Sequence, residues 1–160
     1  NIVAGAQTLN ATSNVALNGA STFNGSTVNL GTNNVALRNG ASTISGDAVV
    51  GLTLNSDKAI GSLTVDGSKG AASLNGAGLT SLEIVITDGA ALPAATEVYT
   101  VLNLTNGGTI NNVNPALIDI TQPSGNRFVK WSANNQLQLV YIQKPICLIP
   151  VLQILLVKVF

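Results

Sequence analysis

Short runs with every second position apolar recur along the first 142 residues of this chain. Val15 and Leu17, Val28 and Leu30, Val35 and Leu37, then Val50, Leu52 and Leu54, then Leu63 and Val65 form such runs. Side chains alternate between the two faces of a strand, so each run places its aliphatic pair on one face. Asn18-Gly19, Asn24-Gly25 and Asn39-Gly40 lie between the runs. Asn and Gly tolerate positive φ and so turn a chain at little steric cost. Beyond residue 65 the pattern loosens, and Gly67-Ser68-Lys69-Gly70 and Gly76-Ala77-Gly78 read as turns. Leu82, Ile84 and Ile86 mark a strand that ends at Asp88-Gly89. Longer strands are predicted over Val98 to Leu104, Leu117 to Thr121, Phe128 to Trp131 and Leu137 to Ile142. Gly107-Gly108, Pro115 and Pro123-Ser124-Gly125 separate them, and Ala133-Asn134-Asn135 reads as a hairpin turn.

One phrase occurs twice. Asn14-Val-Ala-Leu-Asn-Gly-Ala-Ser-Thr22 returns as Asn34-Val-Ala-Leu-Arg-Asn-Gly-Ala-Ser-Thr43. The Asn-Val-Ala-Leu parts are 20 residues apart and the Gly-Ala-Ser-Thr parts 21 apart, with Arg38 as the inserted residue. A unit of that size buries no apolar face by itself and must stack on its neighbours. The expected fold is all-β, a right-handed parallel β-helix of six or seven windings. The repeats are expected over 1–125, an aromatic hairpin-like closing segment over 126–142 and an atypical tail over 143–160. The competitor is an antiparallel meander, because Asn-Gly between alternating runs also signals hairpins. Whole-phrase identity between neighbours favours the parallel stack, where matched side chains such as Asn form ladders.

Composition narrows the function. Asn, Gly, Thr and Ser supply 62 of the 160 residues, yet 46% hydrophobic content argues for a packed chain rather than disorder. Only 9% of residues are charged, and seven bases balance seven acids. That leaves no basic face for nucleic acid and no polybasic membrane anchor. There is no His, and the one cysteine is Cys147. Zinc, copper and iron sites, His-dependent triads and a disulfide framework are therefore not expected. No catalytic, cofactor-binding or metal-binding residue is assigned, and the chain is read as a non-enzyme. Its opening at Asn1, without a signal sequence, reads as a slice of a longer array.

The tail departs from these habits. Residues 141–160 contain no Asn, Gly, Ser or Thr, and twelve of the fifteen from Ile146 to Phe160 are apolar. Pro145 and Pro150 interrupt it, and it is too short to span a bilayer well. A core strand pair, a membrane-associating segment and a stretch translated in a shifted frame are the three readings. The abrupt switch in composition favours the third.

Parallel β-helices also host polysaccharide lyases and glycosidases, which need clustered carboxylates in a groove. The acids are Asp47, Asp57, Asp66, Glu83, Asp88, Glu97 and Asp119. Spacings of 10 and 9 put Asp47, Asp57 and Asp66 on alternating sides, and most acids sit beside Gly, Ser or Lys as solvated turn residues do. Calcium-binding Gly-Gly-x-Gly-x-Asp repeats are missing, and no two Thr lie two residues apart as an ice-binding face requires. Lys58, Lys69 and Lys130 read as edge or turn charges that block strand pairing. Arg127, Phe128, Trp131 and Tyr141 read as the cover of the last core layer.

The duplicated phrase, Asp88-Gly-Ala-Ala-Leu-Pro93, and Asn126-Arg-Phe-Val-Lys-Trp-Ser-Ala133 with Leu137-Gln-Leu-Val-Tyr141 together resemble rickettsial surface-antigen autotransporters of the outer membrane protein A/B type. The resemblance covers residues 1–142 and excludes the tail. It implies a fragment of an exported β-helical passenger at the bacterial cell surface and outer membrane. That passenger would act in a surface coat and in host-cell attachment. Implied partners are a host-cell surface protein and neighbouring coat proteins. The resemblance implies no nucleic acid partner, no cofactor and no membrane insertion by residues 1–142. A carbohydrate-active β-helix enzyme and a non-functional gene remnant are the alternatives. No functional residue carries over.

Overall fold

The computed structural model describes residues 3–5, 7–56, 59–123, 125, 127–133 and 135–143. Asp57, Lys58, Cys147 and the tail beyond Gln143 lie outside the described residues. The strands are β1 (Val3–Gly5), β2 (Thr8–Asn10), β3 (Val15–Asn18), β4 (Thr22–Asn24), β5 (Thr27–Gly31), β6 (Asn34–Arg38) and β7 (Gly40–Leu54). They continue as β8 (Ser62–Asp66), β9 (Ala72–Asp88), β10 (Glu97–Thr105), β11 (Thr109–Asn111), β12 (Ile118–Thr121), β13 (Arg127–Ala133) and β14 (Gln136–Ile142). One short 3-10 turn, Pro115–Leu117, is capped by the Asn114 side chain, which accepts from the Ala116 N–H. The chain is all-β in class.

The strands form two sheets. The six-stranded sheet has the order β13-β14-β10-β8-β6-β3. The eight-stranded sheet holds the remaining strands, with the long β7 and β9 at its centre. The chain alternates between them: β3 lies in the first sheet, β4 and β5 in the second, β6 in the first and β7 in the second. All pairs from β1 to β12 are parallel, so the antiparallel meander is absent from that region. The antiparallel part is confined to β14, which pairs with β10 and forms a hairpin with β13. That hairpin falls on the predicted closing segment, and its turn holds Asn135 at φ 61°.

The duplicated phrase sets the first register. Val15, Ala16 and Leu17 pair with Val35, Ala36 and Leu37, while Thr22 pairs with Thr43. The shift from 20 to 21 is absorbed at one corner. Asn18 still pairs with Arg38, and Asn39 then takes up the extra residue at φ 50°. Asn adopts that left-handed conformation more readily than most side chains. Gly40 follows, and a Cβ there would lie 2.3 Å from the Ala20 nitrogen.

The inward side chains stack in columns. Val15, Val35, Leu63 and Leu102 form one, and Leu17, Leu37, Val65 and Leu104 a second. Across the core, Val28, Val50, Ile84 and Ile120 form a third. Most of these residues belong to a single buried cluster that also holds Phe23, Ile44, Leu74 and Ile110.

Three expectations are corrected. A uniform period predicts six or seven windings, whereas the deepest parallel rows, such as β1-β4-β7-β9-β11, contain five strands. The reason is a lengthening period: hydrogen-bonded neighbours are 19 to 22 residues apart early on and 33 to 40 apart later. Residues 72–88 are not loose, because they form β9, the longest strand at 17 residues. Gly76-Ala77-Gly78 lies inside β9, where the β7–β9 register slips, so the chain turns a corner without leaving the ladder.

Leu37 is fully buried between Leu17 and Val65. Leu37→Ala is expected to lower stability by about 2–5 kcal/mol in urea unfolding. Ala41→Ser, on an exposed outward position, is expected to stay within about 0.5 kcal/mol.

Candidate functional site

The outward positions of the eight-stranded sheet carry small polar residues that bond from strand to strand. Asn29 Nδ2 donates to Asn10 Oδ1 at 2.8 Å, and Asn112 Nδ2 donates to Asn75 Oδ1 at 3.1 Å. The Thr53 and Thr87 hydroxyls meet at 3.2 Å, and Ser45 Oγ donates to Asn24 Oδ1 at 3.3 Å. On the other sheet, Asn34 Oδ1 accepts from Ser62 Oγ at 2.8 Å and Thr64 Oγ1 at 2.7 Å. The expected ladders are therefore present. Each bond joins segments distant in sequence, so it holds neighbouring strands in register as well as satisfying a surface group.

The acids divide between the sheets. Asp47 is exposed on β7 and accepts from Thr80 Oγ1 at 2.6 Å and Ser81 Oγ at 2.9 Å. These two hydroxyls hold its carboxyl below the usual carboxylate range. Asp66 ends β8 in the other sheet, so Asp47 and Asp66 lie on different sides, whereas alternation through Asp57 at spacings of 10 and 9 would put them on the same one; the lengthening period breaks that count. Asp88 ends β9 and Glu97 begins β10. Glu83 and Asp119 are direct neighbours in the β9–β12 register, a juxtaposition that sequence spacing did not reveal. Glu83 Oε1 accepts from Thr121 Oγ1 at 2.6 Å, and Lys130 Nζ lies 3.9 Å from Asp119 Oδ1. The Asp119 side chain is 90% exposed, so this pair stands on an open face.

Asp66 is not a solvated turn residue. It is buried, and four donors converge on it. Arg38 Nε (2.7 Å) and Ser68 Oγ (2.9 Å) reach Oδ2, while Asn106 Nδ2 (2.8 Å) and the Ser68 N–H (3.0 Å) reach Oδ1. Arg38 belongs to the preceding strand of the row and Asn106 follows the next one, so a single carboxylate ties three neighbours together. Donation from Asn106 and then Ser68 holds its carboxyl far below the ordinary range, against the opposing effect of burial. The sequence signal was available: Arg38 stands where the first copy of the phrase has Asn18, and Asp66 sits at the matching position of β8.

At the antiparallel end, Tyr141 is buried and Phe128 packs on the core, with ring centroids 5.7 Å apart. These two close the core as expected. Trp131 does not join them, because it alternates with Phe128 on β13 and shares the outward side with Val129. Val98 and Val129 flank Val140 in register and are 56% and 52% exposed. A small recess of about 30 Å³ lies beneath the end, lined by Leu102, Ile110, Val113, Ile118 and Leu137 among others.

Among the described residues no group of His, Cys, Asp and Glu is arranged to hold a metal ion. No described helix is long and apolar enough to cross a membrane. No protein-family profile matches the chain, and no curated protein matches its sequence.

A carboxyl whose folded pKa is depressed adds stability that is present above its unfolded pKa, about 3.9 for Asp, and is lost as pH falls through the folded value. Asp66→Asn is therefore expected to be less stable than the parent at neutral pH. The gap should narrow steadily on acidification below about pH 4. Urea midpoints of both chains across that range check it; a constant gap would remove the role assigned to the Asp66 charge.

Proposed function

We infer that the chain is a piece of a right-handed parallel β-helix that serves as a structural and adhesive passenger on a bacterial surface. The observation that carries this reading is the in-register parallel stack ended by an antiparallel hairpin. The chain visits the six-stranded sheet and then two successive rows of the eight-stranded sheet on each pass, and β7 and β9 each run through both rows. Right-handed connection is the strong rule for parallel strands in one sheet. The resemblance of residues 1–142 to rickettsial surface-antigen passengers supplies the surface assignment.

The surface chemistry fits that role. Stacked aliphatics fill the interior of the described residues, so recognition falls to the outward ladders, the strand edges and the Val98–Val140–Val129 row. Balanced, sparse charge suits a coat that packs against copies and neighbours without long-range repulsion. A stack that folds by adding one strand row at a time also suits export through a narrow pore.

Three measurements test this. Antibody raised against the folded chain should label intact cells of the source bacterium, and beads coated with the chain should attach to host cells. Labelling only after permeabilisation would sink the surface assignment. For the architecture, deleting residues 14–33, one repeat length, should leave a shorter folded β protein with a lower melting temperature. Loss of all cooperative unfolding would count against a modular helix.

One observation favours a second reading as a carbohydrate-active enzyme. Glu83 and Asp119 are register partners on adjacent parallel strands, whose backbones lie about 4.8 Å apart, which brings two carboxylates side by side as glycosidases require. Polysaccharide cleavage that disappears in both Glu83→Gln and Asp119→Asn would establish it. Absence of cleavage, or cleavage that survives both changes, would dismiss it.

A further inference from the structure

The sequence contains five Asn-Gly pairs, at Asn18, Asn24, Asn39, Asn75 and Asn106. Each is chemically able to deamidate, because glycine leaves its own nitrogen unhindered. The fold separates them. Gly19 N–H donates to Arg38 O and Gly25 N–H to Ser45 O, both at 2.8 Å, so those two nucleophiles are occupied. Gly40 opens β7 and is pressed against Gly19 and Ala20. Gly76 lies within β9, and Asn75 Oδ1 is engaged by the Ala77 N–H and the Asn112 amide.

Asn106-Gly107 differs in its backbone. Both residues are exposed in a turn outside the strands, with φ of 50° and 77°. Gly108 N–H closes the turn onto Thr105 O at 2.9 Å, and among the described residues the Gly107 N–H meets no acceptor. Nothing stands within 4 Å of the space a Gly107 side chain would fill. The Asn106 side chain meanwhile holds Asp66 by the 2.8 Å bond already described.

We propose that Asn106 is a spontaneous modification site whose deamidation releases one tie on the buried Asp66 carboxylate. The Gly107 nitrogen, losing its proton to solvent, attacks Asn106 Cγ. The Cγ–Nδ2 bond breaks, ammonia leaves, and a five-membered succinimide forms. Water then opens the ring at either carbonyl and gives aspartate or isoaspartate. One water is consumed and one ammonia released, with no change of oxidation state. The product puts a carboxylate where the Nδ2 donor stood. A hydrogen bond becomes a like-charge contact with a group that cannot move into solvent. The isoaspartate form also adds a methylene to the backbone of the turn. Residue 106 follows β10, so the change loosens the corner joining β8 to β10.

The full chain is aged in mildly alkaline buffer, and peptide mapping by mass spectrometry follows the one-dalton gain at each Asn-Gly. Residue 106 should convert first, roughly fivefold or more ahead of Asn18 and Asn24, whose nucleophiles must first break a hydrogen bond. Two product peaks at residue 106, aspartate and isoaspartate, are expected. Asn106→Asp should melt below both the parent and Asn106→Ala, which removes the bond without adding charge. Faster conversion at any of the other four sites would overturn the site assignment. Equal melting of Asn106→Asp and Asn106→Ala would overturn the like-charge mechanism.

Discussion

Everything in this molecule depends on parallel strands meeting in register, so that each inward side chain rests on an equivalent one in the strands on either side. Val35 lies between Val15 and Leu63, and Leu37 between Leu17 and Val65. A four- or five-residue strand has too little apolar area to stand alone at roughly 25 cal/mol per Å². Stacked, the inner members Val35, Leu37, Leu63 and Val65 share one interior and become fully buried, while Val15 at the end of its column stays partly exposed. A slip of one residue would turn every such side chain to the solvent, so register and core are one constraint.

That constraint moves the irregularity to the corners. Insertions have to be absorbed without disturbing the columns, and Asn39 does so with one left-handed residue. Corners also bring backbone against backbone, which is why Gly40 has no room for a side chain. The buried Asp66 carboxylate sits at the same corner. Arg38, Asp66 and Asn106 bind strands 28 and 40 residues apart in sequence. In a chain so poor in charge, a satisfied buried carboxylate specifies how rows align, because any other alignment leaves it unpaired.

The legible parts of the sequence were those with matched copies. The repeated phrase gave the pairing of β3 with β6 and β4 with β7 directly, and the Asn135 turn gave the hairpin. From β8 onward the period stretches, so no phrase aligns by eye even though parallel pairing continues to β12. Gly76 and Gly78 misled because glycine marks both turns and close-packed corners. Here a Cβ on Gly76 would meet Val113 and one on Gly78 would meet Ser45. Asp66 misled because its neighbours Gly67 and Ser68 read as solvent, whereas its partners come from 28 residues before and 40 after. The adjacency of Glu83 and Asp119 was hidden for the same reason.

Among the described residues, parallel pairing gives way to antiparallel at the β10–β14–β13 region. A parallel row continues only if the next strand runs the same way and repeats the same alternation. β14 reverses direction while keeping Leu137, Leu139 and Tyr141 inward, so it seals the core without offering a matching parallel edge. β13 then presents Arg127 and Lys130 along the outer edge, and Lys130 is drawn toward Asp119. Charge at an exposed edge discourages a further strand. What remains uncovered is the valine row on the outward side, where alternation leaves residues that the core cannot reach. Its chemistry differs from the polar ladders elsewhere, so among the described residues the closing hairpin carries a distinct apolar patch.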